Sequence, residues 1–472
     1  MKKSKVLVAL LLCILNISAK QDSLKVLEVN DFVAIVREFH PLVKQAALIP
    51  QQAREELRIA HGGWDPKIYS DFQSKSYDGQ NYFSYFENSL KIPVWYGIEV
   101  TAGYDFAYGS RLNSETKLPT DGLGYVGISV PLGKNLVIDK QRAILRQAQI
   151  FREASEFQKT ILLNDALLDA LQTYYRWSYA YREWQIFIEA EQLAYVRFLA
   201  TVQTVSLGDR AAIDTTEALT QWQSRQLQQN EARIKYLKAS FDLHNFLWQQ
   251  NDSPLPFDST IVPAAISQQF LQAEINLSKL DDLETQLRTQ HPEIRNYNLI
   301  LKQLDIERRL KIENLKPLLN LKYNVLSERF NFKSDAGIVF GNSYKLGVNF
   351  AMPLTFMQAR GELKIAKLKI TAKQYELDLK TQQLVNKLRA KFNELIAIQQ
   401  QAKLYLQTVK GFKQLFEGES TRLLNGESSL FLVNARESRY LEAQLKLREL
   451  EAKYFNTETE LKWVMGNMSI GL

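Results

Sequence analysis

Ile161-Leu162-Leu163-Asn164-Asp165-Ala166-Leu167-Leu168-Asp169-Ala170-Leu171-Gln172-Thr173-Tyr174-Tyr175 lies inside a run from Lys134 to Leu207 that contains neither glycine nor proline. Leu163, Leu167, Leu171 and Tyr174 recur at spacings of four and three, which places them on one face of a helix. The run is rich in Leu, Ala, Gln, Glu and Arg, residues that lose little side-chain freedom in a helix. A helix of about 65 residues, rising about 1.5 Å per residue, would be roughly 100 Å long. No compact globular core calls for such an element. Asp209 to Ser253, Glu362 to Lys410 and Glu427 to Met465 are equally free of breakers, and their apolar spacing calls for side-by-side helix packing.

Gly208-Asp209 and Gly426-Glu427-Ser428 separate these runs in pairs. A glycine can end one helix in the left-handed conformation, and Asp209 or Ser428 can cap the next by accepting a backbone N–H bond. Both places read as tips of tight helical hairpins. The hairpins belong to a duplication. His40-Pro41 and His291-Pro292 open equivalent segments 251 residues apart, and Pro66 and Pro317 close them at the same offset. Arg142 to Ala148 and Arg360 to Ala366 then match at an offset of 218, which Gly208 and Gly426 keep. Four anchors in one order define two copies of one unit.

Between the helices of each copy the period changes from 3.6 to 2. Leu319, Leu321, Tyr323 and Val325 alternate with polar residues, as do Tyr344, Leu346, Val348, Phe350 and Met352. In the first copy Ile98, Val100, Ala102, Tyr104, Phe106 and Tyr108 form one such series and Val126, Ile128, Val130 and Leu132 another. This alternation fits either a half-buried strand of a soluble sheet or the wall of a membrane barrel. The strands are too few for a soluble sandwich, and an open sheet edge cannot face lipid, so a barrel would require several copies to pool their strands. Pro66 to Arg142 is 76 residues and Pro317 to Arg360 only 43, leaving 33 extra in the first copy. Those residues, Tyr82 to Ile92 among them, allow either an added hairpin or a long external loop.

Lys2, Lys3 and Lys5 precede an apolar run from Val6 to Leu15, followed by Ser18-Ala19, the pattern of a secretory signal peptide cleaved after Ala19. Cys13, the only cysteine, lies inside that run, so the mature chain is expected to have no thiol. Loss of the three lysines takes the formal charge from +7 to +4, a modest excess that does not suggest nucleic acid as a partner. No other stretch has the eighteen or so apolar residues of a spanning helix, which excludes an inner-membrane transporter. The expected organisation is a leader at 1–19, a first repeat at 20–251 with its β region at about 66–133 and tip at 208, a linker at 252–276, and a second repeat at 277–472 with its β-hairpin at about 317–354 and tip at 426.

A signal peptide followed twice by helix, β-hairpin, long helix, glycine tip and long helix resembles the TolC family of outer-membrane efflux proteins, over essentially the whole mature chain. The His-Pro at each repeat's start, Pro131-Leu132 and Pro353-Leu354, and the tip strings from Gly208 to Asp214 and from Gly426 to Arg436 carry the resemblance. It implies a mainly α fold with a membrane β part. Three copies would form a helical barrel in the periplasm, topped by a shared transmembrane β-barrel in the outer membrane. It also implies a passive duct, without cofactor or enzymatic activity, that docks by its tips onto a periplasmic adaptor coupled to an inner-membrane pump. In this family the residue six after the first tip glycine is commonly an aspartate that helps hold the aperture closed, and Asp214 occupies that place; its alternative role is favourable placement at a helix N-terminus. The tip candidates are thus Gly208, Asp209, Asp214, Gly426, Glu427, Ser428 and Asn434. Ser428 stands where some members carry a basic gate partner, and Asn434 where some carry an aperture aspartate.

Two other readings compete. A periplasmic adaptor also carries long hairpins, but one flanked by small β-domains rather than two equivalent ones. A structural coiled-coil protein of the envelope would not need the alternating strands. No phosphate loop, nucleophile elbow or zincin string is present. The four histidines have no partners at ligand spacing, and His40 and His291, each before a proline suited to a first helical turn, read as caps. The aromatic run Tyr174, Tyr175, Trp177, Tyr179, Tyr181 and Trp184 reads as packing between helices or as a girdle.

Overall fold

In the computed structural model, which describes residues 25–208, 210–265, 268–272, 279–328 and 343–468, the elements follow in chain order. They are β1 (Lys25–Leu27), α1 (Val29–Phe39), α2 (Pro41–His61), β2 (Lys67–Tyr77), β3 (Gln80–Pro93), β4 (Glu99–Tyr108), β5 (Leu123–Pro131), α3 (Lys140–Ser206), α4 (Ala212–His244), β6 (Ile261–Pro263), α5 (Lys279–Gln290), α6 (Pro292–Glu313), β7 (Leu318–Ser327), β8 (Tyr344–Ala351), α7 (Met357–Leu424) and α8 (Leu430–Val464). The expected leader at 1–19 with Cys13, the tip residue Asp209 and part of the linker lie outside the described residues. The long helices α3 and α7 run for 67 and 68 residues. Helix α7 continues through Gly411 and Gly418, where the breaker pattern suggested an earlier end. Each such glycine costs about 1 kcal/mol relative to alanine, which the packing of the flanking turns offsets. No described helix is long and apolar enough to cross a membrane.

Two compact units divide the chain, one from Met1–Gln45, Leu162–Glu284 and Asn386–Leu472 and the other from Ala46–Ile161 and Thr285–Val385. They cut across the two sequence repeats, since each unit takes segments from both.

The second unit holds a six-stranded sheet of order β2-β3-β4-β5-β7-β8, antiparallel throughout. The longer β region of the first repeat is therefore an added hairpin, β2–β3, and not an external loop. Its turn, Asp78-Gly79, has φ of 53° and 72°, the positive values that a two-residue hairpin turn matching the strand twist requires. The register separates two faces. Phe72, Phe86 and Phe106 lie opposite one another on one face, as do Leu321 and Val348, and Tyr323 and Leu346. Asp71, Glu87 and Asp105 share a rung of the other face, which also carries Lys322, Asn324 and Lys345. On that polar face the Tyr125 ring lies so close over Gly103 that an added Cβ would meet it at 2.4 Å.

The chain leaves β5 for α3 through a turn organised by Arg142, one of the repeated anchors. Its Nε lies 2.8 Å from Asp139 and its guanidinium donates to the carbonyls of Asn135, Leu136 and Val137. Asp139 in turn accepts the Arg142 backbone N–H at 2.8 Å, satisfying one of the donors that a helix start leaves open. Ala60, Leu145 and Ala148 pack α2 against α3 beside this turn.

In the first unit the core gathers on the aromatic run of α3. Trp177 is 1% exposed and donates from Nε1 to Ser240 Oγ at 3.0 Å, while Trp184 stacks on Tyr236 of α4 with centroids 5.3 Å apart. Tyr174 packs on Phe32 of α1 and donates to the Leu27 carbonyl at 2.8 Å; Tyr175 stacks on Phe455 of α8. The run is packing between helices. Part of the linker joins this unit, for β6 pairs in parallel with β1.

His40 and His291 both accept backbone N–H bonds at Nδ1, from Leu42 at 3.3 Å and from Glu293 at 3.2 Å, and so start α2 and α6. Burial holds the His40 pKa below its ordinary 6.5, against the raising effect of a backbone hydrogen bond at Asn245. The folded state thus takes up a proton less readily than the unfolded chain. Its contribution to stability is complete above about pH 6.5 and is lost as pH falls through the lowered value. We expect His40→Asn, which keeps an acceptor at the helix start, to flatten the decline of thermal midpoint below about pH 6.5. An equal decline in variant and parent, followed by circular dichroism, would contradict this assignment.

Candidate functional site at the hairpin tips

Gly208 ends α3 with φ +87° and Gly426 follows α7 with φ +77°, and nothing lies within 4 Å of where a Cβ would stand at either. Both glycines are there for backbone conformation, since a side chain would meet no obstacle but would strain the turn. At the second tip the Glu427 N–H bonds to the Arg422 carbonyl at 2.9 Å and the Gly426 N–H to that of Leu423 at 3.1 Å, the paired reverse bonds that close a helix on a left-handed residue. The side chain of Glu427 stays in solvent beside Arg422.

Ser428 is not the cap. Ser429 takes that role, accepting the Leu432 N–H at Oγ, while Ser428 donates to Glu419 Oε1 at 2.6 Å. The chain turns one residue further than expected because the Ser428 hydroxyl has a carboxylate on α7 to satisfy. At the first tip α4 begins after Ala211, which makes no side-chain cap.

Asp214 lies in the first turn of α4, with Arg210 Nη1 3.7 Å from its carboxylate. Arg210 also reaches the Leu423 carbonyl of the other hairpin at 3.5 Å. Ser428 supplies no basic partner to Asp214 across the tips. The geometry supplies one four residues before Asp214 on its own tip. Asn434 is buried, accepting from Arg197 at 3.0 Å and donating to Glu217 at 3.2 Å. It belongs to an internal network rather than to the turn itself.

That network ties all four long helices. Arg197 of α3 lies 3.0 Å from Glu437 of α8, and its guanidinium sits 5.9 Å from the Phe416 ring of α7. Arg225 of α4 lies 3.6 Å from the same carboxylate and donates to Ser438 and Gln228. Glu437 is 2% exposed and Arg225 4%. Burial lowers the Arg225 pKa, which the Glu437 charge counteracts. Among the described residues no group of three or more His, Cys, Asp or Glu is placed to hold a metal ion.

Residues 283–467 match the family model described as outer membrane efflux protein. Over that stretch, which is less than half of the chain, the sequence is similar to that family. Among curated proteins nothing matches. The fold of the Campylobacter jejuni CmeC outer membrane channel is similar over 93% of this chain and 85% of that one, at 16% identity and a TM-score of 0.65. The open state of the Neisseria gonorrhoeae MtrE outer membrane channel is similar over 92% and 88%, at 14% identity and a TM-score of 0.64. For the Vibrio cholerae outer membrane protein VceC the shares are 93% and 95%, again at 14% identity and a TM-score of 0.64. These likenesses show that the chain has the fold of the outer membrane channels, long helical hairpins joined to an antiparallel sheet.

Sequence reasoning about the tips missed Arg197, Arg225 and Glu437. A signal was present. Ala218, Arg225, Ala232 and Ala239 follow at seven-residue intervals and are all buried, so Arg225 is a charge set into an apolar stripe. Ala190, Ala194 and Thr201 are buried along one face of α3, and Arg197, partly buried, stands among them. Breaking a buried ion pair on one side costs about 3–5 kcal/mol because the remaining charge stays desolvated. We expect Glu437→Ala to lose about that much stability, and Glu427→Ala no more than about 0.5 kcal/mol. Denaturant midpoints of the purified protein measure both, and equal midpoints would remove the network from the account.

Proposed function

We propose that three copies of this efflux protein form a passive outlet through the outer membrane. In this reading the hairpin tips receive cargo from a periplasmic adaptor coupled to an inner-membrane pump, and Asp214 with Arg210 helps hold the tip aperture closed. The observation that carries the reading is one chain bearing both a two-faced sheet with two open edges and a duplicated pair of long helical hairpins. The sheet supports a membrane wall, because an apolar face can meet lipid while its polar face meets water. Leu207, Ile213, Leu424 and Phe431 leave apolar side chains exposed at or beside the two turns, which suits a docking surface. Passive conduction needs no cofactor.

The Asp214 role follows from its neighbours. Arg210 joins the first tip to the Leu423 carbonyl of the second, and the Asp214 carboxylate holds Arg210. A partly exposed pair whose atoms stand 3.7 Å apart is worth about 1 kcal/mol, enough to bias an aperture but not to fix it. Asp214→Ala is expected to raise single-channel conductance in planar bilayers several-fold. Unchanged conductance would leave Asp214 with only its favourable place at a helix start. The assembly itself is tested by membrane fractionation with native mass measurement in detergent, where an outer-membrane trimer is expected. Recovery as a soluble monomer without detergent would overturn the reading.

A further inference from the structure

We infer that the β2–β3 hairpin is part of the barrel wall, so that each copy contributes six strands and β8 of one copy pairs with β2 of the next. Three copies would close a ring of eighteen strands. The inference rests on the channel reading and adds to it the seam and the width of the pore. Without the added hairpin, β4 would be the edge and three copies would close only twelve strands.

Continuity of the sheet is the first ground. β3 pairs with β4 from Ser84 to Pro93 and with β2 over the length of the hairpin, so nothing marks a break between the hairpin and the remaining strands. The outward face continues as well. The rings of Phe72 and Phe86 are 6.3 Å apart and those of Phe86 and Phe106 6.5 Å, a rung of aromatics crossing from the added hairpin into β4. Ile68, Leu90 and Ala102 form a second rung of the same face. The polar residues that interrupt this face satisfy one another: Ser70 donates to Asn88 at 2.9 Å, and Ser74 and Ser84 share a hydrogen bond at 2.9 Å. Hydroxyls paired in this way can face lipid at little cost, whereas unpaired ones could not.

The edges supply the second ground. β2 presents 11 residues and β8 presents 8, exposed along their lengths and without a proline in either, and their charges, Lys67, Asp71 and Lys75 of β2 and Lys345 of β8, all fall on the polar face and none on the apolar one. Edges of soluble sheets are ordinarily shortened, charged or broken by proline to prevent pairing. In lipid such edges must be paired, because no water is there to take their hydrogen bonds. The strands alternate in direction from β2 to β8, so the two edges run oppositely. A rotated second copy therefore brings β8 antiparallel to β2, and the ring closes in the same antiparallel pattern as its interior.

Cysteine cross-linking tests the seam, with Cys13 the only native cysteine. Cysteines at Tyr69, Asp71 or Gln73 of β2 are combined in all pairs with cysteines at Lys345, Gly347 or Asn349 of β8, every position being on the polar face. A parallel set replaces the β2 positions with Thr101 or Asp105 of β4. At least one β2–β8 pair is expected to give covalent dimers and trimers in the outer-membrane fraction, and no β4–β8 pair to do so. Cross-linking through β4, or none through β2 in a protein that is still a membrane oligomer, would overturn the inference and leave the channel reading standing. A soluble monomer would instead remove the channel reading. Imaging of the unmodified oligomer in detergent gives an independent count: eighteen strands support the inference and twelve contradict it.

Discussion

A backbone amide inside a bilayer has no water to bond, and in the proposed channel that fact governs the six-stranded sheet. The six-stranded sheet pairs its interior fully and leaves two rows of donors and acceptors, on β2 and on β8. In water those rows would be solvated; in lipid each unpaired group costs several kcal/mol. A single copy is thus an unfinished object. The alternation of apolar and polar residues has meaning only on a closed wall, where one face meets lipid and the other the lumen. In the proposed outlet, oligomerisation is consequently part of the fold and not an addition to it.

The long helices answer a different constraint. They pair without a central globular core, so their stability comes from narrow stripes of small and aromatic residues: Ala170, Ala190, Ala239 and Ala443 allow close approach, and Trp177 and Tyr174 fill the wider spaces. Into these stripes the chain sets Arg197, Arg225 and Glu437. Such charges add little net stability over apolar residues, but they penalise a shifted helix register, which would leave them buried and unpaired. If the tips hold an aperture as proposed, register there matters more than total stability. The glycines at 208 and 426 then turn the chain through positive φ, which a side chain would strain.

The helices, the duplication and four strands were legible because each has a period or a breaker that no neighbour obscures. Other features were less so. The added hairpin was left open between strand and loop because Ser70, Ser74, Ser84 and Asn88 interrupt the apolar side of its alternation, although Asp78-Gly79 carried the turn signal. The cap at 429 rather than 428 depends on the side chain of Glu419 nine residues earlier, a tertiary partner that local pattern does not reveal. The Arg210–Asp214 pair on the first tip is not marked by the resemblance, which bears on position 428 of the second tip. Compact units were the least legible, since antiparallel hairpins bring together residues from both repeats and no linker marks their division.

Hydrogen exchange on the protein reconstituted in bilayers tests the central claim most directly. If neighbouring copies complete the sheet, the amides of the edge strands Lys67–Tyr77 and Tyr344–Ala351 will be protected as strongly as those of the interior strands β4 and β5. Fast exchange confined to alternate amides along either edge, with the interior protected, would mean that the edges stay open and would contradict the account.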